Sequence, residues 1–262
     1  MDLQYELTQR FTCEFSIRAF LEREPQRTLA RLREWTRDPS AHVRRLVSEG
    51  TRPRLPWAPR LRKFIDDPTP VIDLLELLKD DPAPLVRRSV ANNLNDIGKD
   101  HPDLLLEIGS RWMTDAGPER TALIRHALRS AIRRGDRQAL EILGFSQADG
   151  ATIDAVAIDP SSVTIGGRVR IGFRLTNNSE GVAACNVDLK IHFVKANGSA
   201  RPKVFKVKAL ELRSGESVEL AKSISLAQHT TRTHYPGEHK VEAIINGSST
   251  PLGVFVLFAR VR

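Results

Sequence analysis

The sequence predicts a chain of two domains, an α-helical solenoid over residues 1–149 followed by a β-sandwich over residues 150–262. Three observations support this prediction. An Asp-Pro pair followed by a Val-Arg-Arg run occurs twice, 43 residues apart, beginning at Asp38 and at Asp81. Apolar residues recur with helical spacing before Gly150 and alternate with polar residues after it. Glycine-containing turn pairs, such as Asn246-Gly247, separate the alternating segments.

The first half is predicted to be an array of helical pairs. The repeated Asp…Val-Arg pattern resembles the HEAT repeat, in which each pair buries its apolar stripe only by stacking on its neighbours. Three prolines keep residues 51–59 out of any helix. The predicted helices span residues 11–21, 25–36, 40–50, 70–79, 83–97, 102–113, 118–134 and 137–143.

The second half contains seven short segments of alternating pattern within about 110 residues, which is typical of an immunoglobulin-like sandwich. Cys185 has no second cysteine in this half, so the usual bridge between the two sheets of an immunoglobulin domain is not expected. The predicted strands span residues 153–158, 168–176, 183–194, 203–212, 217–226, 240–245 and 254–261.

The charge of the chain indicates a polyanionic partner. The net charge is +8 and the sequence pI is about 9.9. The first 150 residues carry 25 Lys and Arg against 23 Asp and Glu, and 22 of these cations are arginines. The remaining residues carry 15 cations against 9 anions, so the second half is the more basic. The planar, five-donor guanidinium of arginine suits phosphate groups.

Several classes of protein do not fit the sequence. It has no apolar run near the roughly 18 residues of a membrane span, and its start lacks a secretory signal. Cys13 and Cys185 are too far apart for a metal motif, and we expect reduced thiols in a cytoplasmic protein. The sequence contains no P-loop, no glycine-rich dinucleotide turn and no Ser-His-Asp or Cys-His arrangement. We therefore expect neither a metal nor a cofactor.

Matching faces of the helices over residues 40–50 and 83–97 place carboxylates between cations. These faces can form a binding surface, or they can form only solvent-exposed ion pairs worth a few tenths of a kcal/mol each. Arg44 and Arg87 are assigned to the scaffold, and Trp35 and Trp112 to the core. The two faces present Arg45, Ser48, Glu49 and Arg52, and Arg88, Asn92, Asp96 and Lys99.

Trp57 lies between prolines in a stiff loop. One interpretation is that it caps the seam between two repeats. The other is that it presents a rigid aromatic face to a base, a sugar or a cation.

The run from Arg87 to Asp103 resembles the HEAT-like DNA alkylation-repair glycosylases. The order of a helical array and a β-sandwich indicates the AlkC branch of these enzymes rather than the AlkD branch. Members of that branch carry more helical repeats ahead of the position where this chain begins. The resemblance implies hydrolysis of the N-glycosidic bond of cationic bases such as 3-methyladenine and 3-methylcytosine. It further implies that the partner is double-stranded DNA containing alkylated bases, bound by a monomer associated with the nucleoid.

The resemblance also implies site residues. Asp96 is the first candidate for the carboxylate nearest the deoxyribose, Glu49 is the second and Glu14 is the third, with Trp57 as the aromatic partner. The sandwich would hold the duplex from the other side. Two alternatives stay open, a DNA-binding module without catalysis and a protein-interaction scaffold. The expected phosphate contacts are Arg45, Arg52, Arg54, Arg88, Lys99, Arg125 and Arg129.

Overall fold

The computed structural model describes residues 1–145, 150–228 and 233–259. It divides the chain into two compact units, Met1–Ile132 and Arg133–Arg262. The sequence-based boundary between residues 149 and 150 stays a prediction, because residues 146–149 lie outside the described ranges. None of the helices within these ranges is long and apolar enough to cross a membrane.

The first unit is built of helical pairs. Helix α4 packs on α3, α7 on α6 and α9 on α8, and the second helices α4, α7 and α9 pack on one another in chain order. Buried aliphatic residues such as Val43, Leu46, Val86 and Val90 fill the interfaces between pairs. The helices of the described residues, of which α11 and the end of α10 belong to the second unit, are α1 (Asp2–Arg10), α2 (Glu14–Arg23), α3 (Pro25–Trp35), α4 (Ala41–Gly50), α5 (Arg62–Asp66), α6 (Thr69–Leu78), α7 (Pro84–Ile97), α8 (Pro102–Met113), α9 (Pro118–Ala127), α10 (Arg129–Arg134) and α11 (Arg137–Ile142).

Three helical regions differ from the sequence-based prediction. The five-residue helix α5, over Arg62–Asp66, was not predicted. Helix α1 was not predicted, because it buries Gln4 and Thr8 while Leu3 is 71% exposed, so it lacks the inward apolar stripe of the other helices. The predicted helix over residues 118–134 is interrupted at Leu128, which separates α9 from α10. Trp35 and Trp112 are buried, which confirms their assignment to the core.

The second unit contains a sandwich of two sheets, one in the order β1-β3-β6 and one in the order β2-β8-β7-β4-β5. Side chains from both sheets, including Val169, Phe173, Leu189 and Phe255, form one buried cluster. The short β2, which pairs parallel with β8, was not predicted. The strands are β1 (Ala151–Asp159), β2 (Ser162–Thr164), β3 (Arg168–Asn177), β4 (Ala183–Val194), β5 (Ala200–Leu212), β6 (Ser217–Ser225), β7 (Gly237–Ile245) and β8 (Ser248–Phe258).

The last predicted strand, over residues 254–261, ends later than β8 does. Its final two residues, 260 and 261, lie outside the described ranges.

Candidate active site

The repeated Asp-Pro motif ties neighbouring helical pairs together. Oδ1 of Asp81 accepts the backbone N–H of Ala83 at 2.8 Å, at the start of α7. The Arg44 guanidinium donates to both carboxylate oxygens of Asp81 and to the carbonyl of Asp38. Arg87 donates to the carbonyl of Asp81 at 2.6 Å. The bonds to Asp81 confirm the scaffold role predicted for Arg44, whereas the bonds of Arg87 hold the turn within its own helical pair.

A buried polar ladder fixes α4 against α7 at the level of the predicted faces. Ser48 donates to Ser89 at 2.8 Å, and Ser89 donates to Oε2 of Glu49 at 2.6 Å. The amide of Asn93 donates to the Ser48 carbonyl at 2.8 Å and to the Thr51 hydroxyl at 3.0 Å. Because an unpaired buried polar group destabilises the fold, the alignment of α4 and α7 that pairs these groups is favoured, and the ladder thereby sets the register of the two helices.

Glu49 and Asp96, on different helical pairs, meet on one guanidinium. Arg52 donates through Nη1 to Glu49 at 2.7 Å and through Nε to Oδ2 of Asp96 at 2.8 Å. Lys99 donates to Oδ1 of Asp96 at 2.7 Å. Asp96 is 1% exposed, Glu49 7% and Arg52 8%, so both carboxylates are held in a site largely closed to water.

Arg52 and Arg54, both expected to contact phosphate, hold carboxylates in the structure. Arg52 is buried between Glu49 and Asp96, and this position does not fit the predicted contact with phosphate. Arg54 forms a two-pronged ion pair with Asp100. That pair lowers the pKa of Asp100 below its ordinary value, chiefly through the hydrogen bonds from Arg54. Sequence spacing could not reveal the pairs of Arg52 with Asp96 and of Arg54 with Asp100, because each acid lies more than 40 residues away from its arginine.

Glu14 begins α2 and lies beside α4. Its Oε1 is 3.9 Å from Nη2 of Arg45, which is one turn before Glu49 on α4. Within the described residues, Oε2 of Glu14 is buried and has no hydrogen-bond partner. The structure therefore places the third predicted acid, Glu14 on α2, next to α4, the helix that carries Glu49. One of its carboxylate oxygens can accept a further hydrogen bond.

Trp57 lies on a short, braced loop over residues 51–61. The Leu61 N–H donates to the Pro53 carbonyl at 3.1 Å, and Leu55 and Leu61 are buried. Trp57 has a φ of 62° and its side chain is 98% exposed. The interpretation of Trp57 as a cap on a repeat seam is therefore wrong, because such a cap would be covered. A non-glycine residue at positive φ costs free energy, and this cost is typical of functional loops.

The remaining predicted cations lie on or next to the second helices, with Lys99 just after α7 and Arg129 at the start of α10. Arg88 on α7 and Arg125 on α9 are exposed. The side chain of Lys99 is 42% exposed although it pairs with Asp96, and that of Arg45 is 29% exposed. Arg129 is half-buried and donates to Asn92 at 3.1 Å and to the His126 carbonyl.

Sequence reasoning missed three residues of the site. Ser89 and Asn93 belong to the ladder, and Arg18 is buried with its guanidinium on backbone carbonyls of the loop that bears Trp57. The one feature of the sequence that could have indicated burial of Arg18 is its position directly after the apolar Ile17 of α2. Within the described ranges, no three His, Cys, Asp or Glu side chains lie together as a metal site would need.

Comparison with known families assigns both parts of the chain. Residues 11–134 match the family described as DNA alkylation repair enzyme. Residues 152–259 match the C-terminal Ig-like domain of the family described as uncharacterised protein YhaZ. The β unit is therefore of the Ig-like class that the sequence predicts.

Two relatives match nearly the whole chain. The uncharacterized protein YhaZ of Bacillus subtilis (strain 168) is 38% identical over 240 residues, which is 92% of this chain and 66% of that protein. The structure of Pseudomonas fluorescens alkylpurine DNA glycosylase AlkC, bound to DNA containing an abasic site analog, is 38% identical with a TM-score of 0.89. This match covers 96% of this chain and 69% of the AlkC chain. The chain thus spans about two thirds of both relatives, and it belongs to the AlkC-type family of DNA alkylation repair proteins.

Proposed function

We propose that this chain is a DNA glycosylase that hydrolyses the N-glycosidic bond of cationic alkylated bases, 3-methyladenine and 3-methylcytosine, in double-stranded DNA. Membership of the AlkC-type family supports the class of reaction. We also propose that its helical unit is a HEAT-like solenoid and that it acts as a monomer on the nucleoid. The placement of Glu14 on α2, Glu49 on α4 and Asp96 on α7 supports the mechanism below.

Alkylation prepares the base to leave. When the bond between the base and C1′ breaks, its electron pair neutralises the positive charge of the base, and the sugar becomes an oxocarbenium-like cation. Water then adds to C1′ and loses a proton to a carboxylate. The protein has to stabilise the sugar cation and orient the water, and fixed carboxylates can do both.

Glu49 and Asp96 suit the electrostatic part of this reaction. Arg52 fixes both carboxylates in place, so little reorganisation is needed when positive charge develops on the sugar. We propose that Asp96 lies nearest the deoxyribose. Its second oxygen is held by Lys99, whose side chain is 42% exposed and whose i,i+3 pair with Asp96 is weak enough to open when a phosphate attracts the ammonium.

The observation that best supports catalysis is the open oxygen of Glu14. Hydrogen bonds from Arg52, Ser89 and Lys99 occupy all four carboxylate oxygens of Glu49 and Asp96, whereas Oε2 of Glu14 is buried with no partner in the described part of the chain. A buried carboxylate oxygen without a donor is costly unless something else supplies one. We propose that Glu14 accepts a hydrogen bond, and then the proton, from the attacking water.

DNA binding is assigned to exposed and half-buried cations of the helical unit. We propose that Arg45, Arg88, Arg125, Arg129 and Lys99 contact phosphates of the duplex. The sandwich, whose part of the chain is the more basic, would add further contacts. Arg52 and Arg54 are proposed instead to hold carboxylates.

The test is release of methylated bases from methylated duplex DNA by the wild-type chain and by Glu14→Gln. We expect the wild type to release base and Glu14→Gln to be slower by about 10²-fold or more, the usual contribution of a general base. Glu107→Gln, which alters an exposed carboxylate on α8, serves as the matched control and should retain the wild-type rate.

Two results would contradict the proposal. Full activity of Glu14→Gln would remove Glu14 from the mechanism. Salt-sensitive DNA binding by the wild type without base release would favour a DNA-binding module without catalysis.

A further inference from the structure

Arg18 is a buried arginine whose guanidinium binds backbone. It lies on α2 with 5% of its surface exposed, between the buried Ile17 and Leu21. Its Nη1 donates to the Gly50 carbonyl at 3.2 Å and to the Arg52 carbonyl at 2.7 Å. Its Nη2 donates to the Pro59 carbonyl. These three acceptors are backbone carbonyl oxygens at least 32 residues away in the chain.

These three carbonyls lie at the two ends of one loop. Gly50 ends α4 and Arg52 begins the loop over residues 51–61, whereas Pro59 precedes its return to the buried Leu61. Arg18 therefore connects the backbone at the start of the loop, at Gly50 and Arg52, to the backbone near its end, at Pro59. The bond from the Leu61 N–H to the Pro53 carbonyl closes the loop at the same level, and Trp57 lies between these ends.

Burial of the Arg18 guanidinium at this position costs free energy. Burial lowers the pKa of Arg18 to about 10, although the nearby carboxylates of Glu22 and Asp96 oppose this change, so the group stays charged at neutral pH. A buried cation costs free energy unless its donors are satisfied, and an apolar residue of similar volume often packs at lower cost. An apolar residue at this position could not donate the three hydrogen bonds to the carbonyls of Gly50, Arg52 and Pro59.

The bonds also reach the acids indirectly. The Arg52 carbonyl is held by Arg18, while the Arg52 side chain holds Glu49 and Asp96. The prolines at 53, 56 and 59 stiffen the loop internally, but they do not fix the angle at which it leaves the end of α4. Only contacts from outside the loop can do so, and Arg18 supplies contacts to both of its ends.

We propose that Arg18 is a positioning residue that fixes the loop over residues 51–61, and thereby holds Arg52 against the two carboxylates and Trp57 at the tip. The catalytic consequence of this role rests on the proposed glycosylase function. The holding of the loop does not, and the experiment therefore measures the two separately.

The first measurement is the rate at which trypsin cuts the loop under native conditions. Trypsin can cleave after Arg54 and after Arg60, and neither site is altered in Arg18→Met. We expect cleavage at these sites to be at least about 10-fold faster in Arg18→Met, because the loss of charged hydrogen bonds favours local opening. The matched control is Arg87→Met, since Arg87 also donates to backbone carbonyls, those of Asp81 and Pro82, but far from the loop in sequence. An unchanged rate of cleavage in the loop would overturn the proposal.

The second measurement is base release in a single turnover. We expect Arg18→Met to lower the maximal rate at least about 10-fold with little change in the DNA concentration that gives half of it, because the groups that are displaced act on the reacting sugar. Arg18→Ala should regain part of the rate when free guanidinium is added at a concentration too low to denature the protein. Arg18→Lys, which keeps the charge with fewer donors, should lie between wild type and Arg18→Met in both measurements and replaces Arg18→Met if that variant does not fold.

The outcomes separate the two claims. Faster cleavage with unchanged base release would overturn the positioning role in catalysis. Faster cleavage in a protein whose wild type releases no base would leave Arg18 as the residue that holds the loop and would refute the glycosylase function instead. Faster cleavage, slower release and rescue by guanidinium together support the proposal.

Discussion

At the scale of single residues, the site depends on Arg52. Its guanidinium bridges carboxylates that belong to two helical pairs. Burial alone would lower the pKa of Arg52, but the charges and hydrogen bonds of Asp96 and Glu49 outweigh burial and raise it. Loss of the bridge would leave two buried anions near each other, which is far more costly than loss of an exposed pair.

We therefore expect Arg52→Met to lower the free energy of unfolding by about 3 kcal/mol or more, as measured by urea denaturation. Arg54→Met, which breaks the more exposed pair with Asp100, is the control and should cost about 1 kcal/mol. Equal costs for the two variants would show that Arg52 does not hold the acids together.

Substitution of Trp57 should change the rate of base release while it leaves the free energy of unfolding nearly unchanged. Its indole is 98% exposed, so Trp57→Ala should change the free energy of unfolding by no more than about 0.5 kcal/mol. Loss of the aromatic face should slow base release by about 10-fold, since a cation–π contact contributes on the order of 1 kcal/mol. Trp57→Phe keeps an aromatic face and should retain most of the rate. Base release by Trp57→Ala at the wild-type rate would exclude an aromatic contact with the substrate.

At the scale of elements, the sequence predicts those helices whose apolar stripe faces inward. The second helices α4 and α7 and the strands β3 and β4 follow their predicted patterns closely. Helices α1 and α5 and strand β2 were missed for different reasons. Helix α5 has only five residues, of which Phe64 is buried, and this is too short for a helical apolar pattern. The apolar side chains of α1 face outward, and β2 has only three residues and depends on its pairing with β8.

The candidate site shows the same limit. Spacing on a helix places Glu49 and Arg52 together, because they are three residues apart. The contact of Arg52 with Asp96 spans 44 residues and exists only because α4 packs on α7. The bond from Arg18 to Pro59 depends likewise on the packing of α2 near the loop. Local periodicity contains no information about such contacts.

A cross-strand cluster between β4 and β7 makes stability depend on pH. Glu242 contacts Lys190 and His192, which lie on the neighbouring strand. Burial would raise the pKa of Glu242, but hydrogen bonds from Lys190, His192 and Ser249 outweigh it and lower the pKa to about 2. Because the folded pKa lies below the ordinary value, the ionised form stabilises the fold above about pH 4.5, and this contribution disappears as pH falls towards 2.

We expect Glu242→Gln to lower the free energy of unfolding by about 1 kcal/mol at neutral pH, the size of a partly exposed ion pair. The difference between wild type and variant should shrink as pH falls from about 4.5 to about 2. Urea denaturation at a series of pH values measures it. Glu238→Gln, which alters an exposed carboxylate on the same strand, is the matched control. A constant difference across this range would mean that Glu242 is not stabilised by its cationic neighbours.

At the scale of the whole molecule, the two signs of charge have different tasks. The chain has a net charge of +8, and exposed arginines of the helical unit together with the basic second half favour binding to the phosphates of DNA. The acids proposed for catalysis are buried and held by cations of their own. DNA affinity and chemistry should therefore respond to different substitutions, with affinity dependent on salt and surface arginines and the chemical step dependent on the acids.

The central claim is that buried carboxylates of this chain cleave the glycosidic bond. The most direct measurement is single-turnover release of 3-methyladenine from a duplex that contains one such base, by wild type and by Asp96→Asn, with DNA affinity measured in parallel. We expect the wild type to release the base and Asp96→Asn to be at least about 10²-fold slower at nearly unchanged affinity, because preorganised charge at the sugar is lost. Equal rates for the two proteins, or no release by the wild type, would contradict the account.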